Sequence, residues 1–166
     1  MFKKLFGIKE EQVKTIQLLA PMTGKAVSLS SVPDPVFSEK MMGDGVAIEP
    51  SEGVVVSPVE GEILQVFPTK HAVGIRAKNG AELLIHIGLE TVSLNGEGFE
   101  THVTQGDKVK EGDKLVTFDL SVISEKAKST VTPVIITNTD QAAELKVLTE
   151  RNVEKGITPI LEVTFE

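Results

Sequence analysis

Residues 69–88 read TKHAVGIRAKNGAELLIHIG and consist of two apolar runs on either side of an Asn-Gly pair. An Asn-Gly pair between apolar runs is the strongest short-range signal for a β-hairpin, because both residues accept the positive φ of a tight turn. The sequence therefore predicts two antiparallel strands joined at Asn79 and Gly80.

The same texture recurs along the chain, where short apolar or alternating runs lie between Gly, Pro and Asn signals. Predicted strands cover residues 16–19, 25–29, 46–48, 54–56, 62–66, 72–77, 82–87, 114–119, 131–137, 144–148 and 159–165. Residues 121–128 are predicted as a helix with Ser121 as its N-cap. We predict an all-β protein, an antiparallel β-sandwich or barrel-like single domain with one or two short helical segments.

Composition limits the partners and the location of the protein. Its 17 Lys and Arg residues against 24 Asp and Glu residues give a net charge of −7, and it has no Trp or Tyr. An acidic chain without these stacking side chains is a poor binder of nucleic acid. It also has no cysteine and no apolar run of membrane-spanning length, so we expect a cytoplasmic protein without disulfides.

The predicted domain boundary lies near the N-terminus. Residues 16–166 are expected to form the single domain, and residues 1–15 a flexible or amphipathic segment. Within that segment, Phe2, Leu5 and Phe6 fall on one side of a helical turn and Lys3 and Lys4 on another. We expect a loosely packed terminus, with weak contact of residues 1–9 with an anionic membrane surface as the alternative.

The predicted hairpin register brings two histidines together. It places Val73 opposite His86 and His71 opposite Gly88, and alternation along each strand then puts both rings on one face. Diagonal neighbours on antiparallel strands have backbones roughly 7–8 Å apart, within reach of long side chains. Gly88 is expected to leave lateral room for an imidazole, and Thr69 is expected on the same face, where it could bond a ring nitrogen. The two histidines are the candidate functional site.

Two close histidines are compatible with several kinds of chemistry. Metal sites usually take three or four ligands, and the chain has no His-x-His or His-Glu-x-x-His motif. Acyl transfer would need a nucleophile, yet there is no cysteine and no Gly-x-Ser-x-Gly turn. An imidazole can itself accept a phosphoryl group while a second ring donates a hydrogen bond to the phosphoryl oxygens. The structural alternative is a pair of hydrogen-bonded core histidines.

Further motifs accompany the pair. They are DPVFSEKMMGDG at 34–45, SPVEG at 57–61, TKHA at 69–72, LIHIG at 84–88, GEGF at 96–99 and STVTP at 129–133. Together they resemble the glucose-type IIA components of the bacterial phosphoenolpyruvate-dependent sugar phosphotransferase system. The resemblance runs from about residue 16 to the C-terminus.

The resemblance implies a phosphocarrier. His86 would accept a phosphoryl group on Nε2 from the phosphohistidine of the carrier HPr and pass it to a cysteine of a separate IIB domain. In this family the other nitrogen of the accepting ring is tied to backbone near the position of Gly88. His71 would hydrogen-bond the phosphoryl group, and Thr69 would orient His71.

The resemblance also implies a docking surface and an acidic rim. The implied docking residues are Val36, Phe37, Met41, Met42, Phe67, Leu84 and Val92. The implied rim carboxylates are Asp34, Asp44 and Glu90. Glu90 departs from the family, which usually has Asp four residues after the reactive histidine, and its side chain is longer by one methylene group.

Two other functions compete with the phosphocarrier. One is a purely regulatory protein that binds other proteins through its apolar face, a role that members of the family combine with phosphoryl transfer. The other is a zinc-binding, hydrolase-like protein that uses His71 and His86. No cofactor is required for the phosphocarrier, and zinc at the two histidines would need a carboxylate from a partner.

Overall fold

A computed structural model describes residues 14–166. The predicted segment 1–15 therefore lies almost entirely outside the described residues. The strands are β1 (Thr15–Leu19), β2 (Gly24–Ser28), β3 (Asp44–Pro50), β4 (Val54–Val56), β5 (Gly61–Val66), β6 (Ala72–Ala77), β7 (Glu82–His86), β8 (Phe99–Thr101), β9 (Lys108–Val109), β10 (Lys114–Phe118), β11 (Thr132–Ile136), β12 (Glu144–Val147), β13 (Asn152–Val153) and β14 (Pro159–Thr164). The α-helices are α1 (Pro35–Ser38) and α2 (Leu120–Lys126), and short 3-10 turns cover Leu29–Ser31, Thr91–Leu94 and Thr139–Gln141.

The strands form three antiparallel sheets. The largest has eight strands in the order β9-β5-β6-β7-β11-β3-β2-β13, and two three-stranded sheets have the orders β4-β10-β8 and β12-β14-β1. Every pairing between these strands is antiparallel. The predicted β-sandwich with short helices is confirmed. None of the helices in residues 14–166 is long and apolar enough to cross a membrane.

The central strands are buried on both faces, which explains their continuous apolar runs. In β11, for example, Val134 and Ile136 point into the main core, whereas Ile135 points into a second, smaller cluster. Alternation along each strand produces this division. The second cluster comprises Leu29, Val32, Phe37, Ala47, Ala72, Leu84, Leu89, Val131 and Ile135. One of its members, Phe37, lies against the ring of His86.

The hairpin is present, but its predicted register is wrong by one residue. Ala72, not Val73, pairs with His86. The cause is the turn, since the Ala77 N–H donates to the Ala81 carbonyl at 2.8 Å and leaves three loop residues, 78–80, instead of two. Gly80 occupies the left-handed region with φ +95°, as a three-residue hairpin loop requires.

Other differences concern element ends and very short strands. The helix α2 starts at Leu120 and is capped by Asp119, whose side chain accepts from the N–H groups of Ser121 and Val122. Ser121 is therefore not the N-cap. Strands β8, β9 and β13 have only two or three residues each, too few for an alternating pattern to be recognised in the sequence.

Candidate functional site

His71 reaches the site because the chain turns sharply just before it. Lys70 has φ +67°, its N–H donates to the Phe67 carbonyl at 2.8 Å, and β6 begins only at Ala72. Strict alternation in the observed register would place His71 on the face opposite His86, since Ala72 is the residue that shares a face with it. The turn at Lys70 removes that constraint. The two rings meet edge to face, with centroids 4.9 Å apart and planes at 80°.

His86 ends strand β7, and its ring is fixed by the turn that follows. The Nδ1–H of His86 donates to the Gly88 carbonyl at 2.8 Å. A carbonyl oxygen only accepts, so this bond assigns the proton to Nδ1 and leaves the lone pair on Nε2. The neutral ring thus presents one nucleophilic nitrogen.

Gly88 does not lie opposite His71 as the predicted register required, although its backbone carbonyl does contact the His86 ring. Ile87, not Gly88, lies opposite His71 and donates its N–H to the His71 carbonyl at 2.7 Å. Gly88 has φ +73°, and a Cβ there would lie 2.7 Å from Thr91 Cγ2 and 2.9 Å from the Ser129 carbonyl oxygen. A side chain is excluded by backbone conformation and by space.

Thr69 reaches the His71 ring through the turn at Lys70 rather than through the strand alternation from which the contact was predicted. Its hydroxyl is 2.7 Å from His71 Nδ1. When the hydroxyl donates, Nδ1 is the acceptor and the proton of the neutral ring resides on Nε2. The Nε2–H of His71, which the Thr69 hydroxyl does not contact, is then available to donate a hydrogen bond.

Both rings favour the neutral form. Burial, followed by repulsion from His86, lowers the pKa of His71 to about 4. Burial also lowers the pKa of His86, although the bond to the Gly88 carbonyl and the charge of Asp34 oppose that shift. A neutral His86 keeps its Nε2 lone pair available near neutral pH, as a nucleophile requires.

Apolar side chains surround the pair. Phe37 lies against His86 with ring centroids 5.0 Å apart, and Phe67 lies against His71 at 5.7 Å. The predicted docking residues divide by burial: Phe37 and Leu84 are buried, Phe67 is half-buried, and Val36, Met41, Met42 and Val92 are exposed. Of these residues, Phe37 and Phe67 contact the histidine rings, and the exposed members remain a predicted docking surface.

The three predicted rim carboxylates have different partners. Asp34 caps α1 by accepting from the Val36 N–H at 3.0 Å, and its charge reaches His86. Asp44 pairs with Lys40 at 3.5 Å, and Glu90 lies 4.0 Å from Lys128. Glu90 occupies the left-handed region with φ +59°.

Within residues 14–166, no group of three or more His, Asp or Glu side chains is arranged to hold a metal ion. A metal at the two histidines would therefore take its further ligands from outside these residues.

Sequence reasoning did not identify two threonines at this site. Thr91 and Thr132 are fully buried, and both bond the turn after His86. Thr132 could have been noticed as a polar residue that opens an otherwise apolar strand, but only the fold shows what its hydroxyl contacts.

Comparisons of the sequence with known proteins match a single family. The family model for the phosphoenolpyruvate-dependent sugar phosphotransferase system, EIIA 1, matches residues 16–142. A relative in Bacillus anthracis, named PTS system glucose-specific EIIA component, is 58% identical over the whole of both chains. A relative of the same name in Staphylococcus aureus (strain Mu50) is 56% identical over 99% of each chain.

Structural similarity leads to the same family. The solved structure of glucose permease IIA from Mycoplasma capricolum superposes with a TM-score of 0.85 at 44% identity, covering 90% of this chain and 96% of that one. The chain therefore belongs to the EIIA 1 family of the phosphoenolpyruvate-dependent sugar phosphotransferase system and is a phosphotransferase component of that system.

Proposed function

We propose that this chain is a cytoplasmic phosphocarrier in which His86 Nε2 accepts a phosphoryl group from the phosphohistidine of HPr and passes it to a cysteine of a separate IIB domain. One observation carries the proposal. The bond from His86 Nδ1 to the Gly88 carbonyl leaves Nε2 as the free nucleophilic nitrogen beside His71. The relatives' names support a glucose transporter as the system that is served.

In the first step, the Nε2 lone pair attacks the phosphorus of HPr's phosphohistidine. A new Nε2–P bond forms, the donor's N–P bond breaks, and its electron pair returns to the donor nitrogen. A donor ring that is protonated on its other nitrogen leaves as neutral imidazole, while His86 retains its Nδ1 proton. No proton needs to be relayed through solvent.

In the second step, a cysteine thiolate of the IIB domain attacks the same phosphorus. The S–P bond forms as the Nε2–P bond breaks, and the electron pair returns to Nε2, which restores neutral His86. His71 assists both steps by donating its Nε2–H to a phosphoryl oxygen, and the Thr69 hydroxyl selects that tautomer. The exposed methionines of the proposed docking surface, such as Met41, have flexible side chains that suit a face meeting more than one partner.

Intact mass spectrometry after incubation with phosphoenolpyruvate, enzyme I and HPr tests the proposal. We expect the wild type to gain one acid-labile phosphoryl group and His86→Ala to gain none. His71→Ala should gain the group but pass it on slowly. His102→Ala is the matched control, since this third histidine is exposed and bonds Thr117 instead.

Failure of the wild type to gain a phosphoryl group from active phospho-HPr would refute the phosphocarrier. Stable binding of other proteins without any phosphoryl gain would then favour the purely regulatory alternative. Zinc at the pair is tested separately by metal analysis of the purified chain, with and without a partner that offers a carboxylate.

A further inference from the structure

Thr132 is a fully buried hydroxyl at the start of strand β11, next to the site. The four residues that follow it in β11 are buried as well and carry only apolar side chains. A valine would occupy nearly the same volume at this position, so packing alone does not call for a hydroxyl.

The hydroxyl is used for two hydrogen bonds. It accepts from the Gly88 N–H at 3.3 Å and donates to the Thr130 carbonyl at 3.0 Å. Gly88 is buried, so without this acceptor its N–H would be a buried donor without a partner. A buried N–H without an acceptor is costly and rare in folded proteins. Without the Thr132 hydroxyl, we therefore expect the turn at Gly88 to change its conformation.

The same peptide segment carries the carbonyl that fixes His86. The N–H and the carbonyl group of Gly88 belong to the same residue, which has φ +73°. Holding its N–H therefore restricts the direction of its carbonyl group. Thr132 restrains the N–H side, and the carbonyl accepts from His86 Nδ1 at 2.8 Å. The next residue, Leu89, is held by its own N–H bond to the Ser129 carbonyl at 2.9 Å.

Thr91 restrains the segment from its other end. Its hydroxyl donates to the Ile87 carbonyl at 2.6 Å. Four polar or charged residues are buried within residues 14–166. His71, Thr91 and Thr132 lie at this site, and the fourth, Ser57, bonds the Val59 carbonyl elsewhere.

We infer that Thr132 is a positioning residue for phosphoryl transfer: by holding the Gly88 N–H it aims the Gly88 carbonyl at His86 Nδ1 and so keeps the Nε2 lone pair directed into the site. Thr132 acts through Gly88 and touches no reacting atom. The transfer part of this inference rests on the proposed function, whereas the effect on the His86 tautomer does not.

The test compares Thr132→Val with Thr132→Ser, which restores a hydroxyl, and with Ser57→Ala as the matched loss of a buried hydroxyl. Ring ¹⁵N NMR of the unphosphorylated proteins reports the tautomer and the pKa of His86, whose charged and titratable neighbours are Asp34 and His71. In Thr132→Val we expect a smaller Nδ1–H population and a lower His86 pKa, because the Gly88 carbonyl raises that pKa in the wild type.

The phosphoryl-transfer rate from phospho-HPr is measured on the same proteins. Misaligning a reacting group costs up to about 100-fold, and we expect a loss of about 10-fold or more in Thr132→Val. Thr132→Ser should recover the tautomer, the pKa and most of the rate. Ser57→Ala should lose thermal stability only.

Thr132→Val with an unchanged tautomer, pKa and rate would overturn the inference and make Thr132 a purely structural residue. If Thr132→Val does not fold, Thr132→Cys takes its place with the same expected and refuting results, since a thiol is a weak acceptor. A wild type that accepts no phosphoryl group would refute the proposed function, and the NMR comparison would still decide the role of Thr132.

Discussion

Lowering the pH from about 7.5 to about 5 is expected to destabilise the protein in large part through His71, because burial holds its pKa at about 4. In the unfolded chain this histidine binds a proton near its ordinary pKa of about 6.5. Between these two values the unfolded state holds more protons than the folded state. The contribution of neutral His71 to the free energy of unfolding is therefore complete above the unfolded pKa, and it decreases as the pH falls towards the folded pKa.

The size of the effect follows from the two pKa values. At about pH 5, the unfolded histidine is almost fully protonated and the folded one is mostly neutral, a difference worth about 2 kcal/mol of unfolding free energy. The many carboxylates of the chain also titrate, so the total pH dependence of the wild type will not isolate His71. Replacing His71 by Gln removes its titration and leaves the carboxylates in place.

Urea unfolding of the wild type and His71→Gln at the two pH values measures the difference. Far-UV circular dichroism is the appropriate probe, because the chain has no Trp or Tyr. The wild type should lose about 2 kcal/mol more than the variant between these pH values, with equal m-values. Equal losses in both proteins would refute the argument, as would an NMR titration of His71 with a midpoint near its ordinary value.

Three further predictions concern separate parts of the fold. Gly88→Ala should cost about 2–4 kcal/mol of stability, measured by thermal or urea unfolding, because a left-handed alanine would also press against Thr91 and Ser129; a cost below 1 kcal/mol, on the order of a surface substitution, would contradict this. Met41→Ala should weaken HPr binding in calorimetry while changing stability by less than about 0.5 kcal/mol, since the side chain is 69% exposed; unchanged affinity would remove Met41 from the docking surface. Asp119→Ala should cost about 1 kcal/mol by loss of the α2 N-cap, whereas Asp119→Asn should retain most of it.

The sequence predicted the strands of this fold better than their register. Apolar alternation located the longer strands, because each must bury at least one face. The register depended on a single turn, and the three-residue loop ending at Gly80 shifted it by one residue. A two-residue and a three-residue loop are both compatible with Asn-Gly, so local sequence did not distinguish them.

The histidine pair was predicted from a geometry that proved incorrect, yet the two rings do meet. Lys70 in the left-handed region brings His71 back to His86. Lysine carries no signal for that conformation, unlike glycine or asparagine. The error in register did not affect the resemblance to a family, because that resemblance rests on sequence motifs such as TKHA at 69–72 and not on strand pairing.

The threonines under the site were beyond sequence reasoning for a different reason. Thr132 is separated from Gly88 by 44 positions in the chain, and their hydrogen bond exists only because β11 pairs with β7. Such a contact depends on tertiary structure. Because threonine is common in strands, its presence at this position does not indicate a special role.

The bond between His86 and the Gly88 carbonyl also determines which nitrogen of the His86 ring can be chemically modified. A ring flip would break that bond, so the two nitrogens do not exchange places while it is intact. Any electrophile small enough to reach His86, whether a phosphoramidate or an acylating reagent, therefore meets one nitrogen of that ring and should yield a single positional isomer at this residue. Determining which isomer is present in the peptide that contains His86, with the exposed His102 as the comparison, would test this constraint directly.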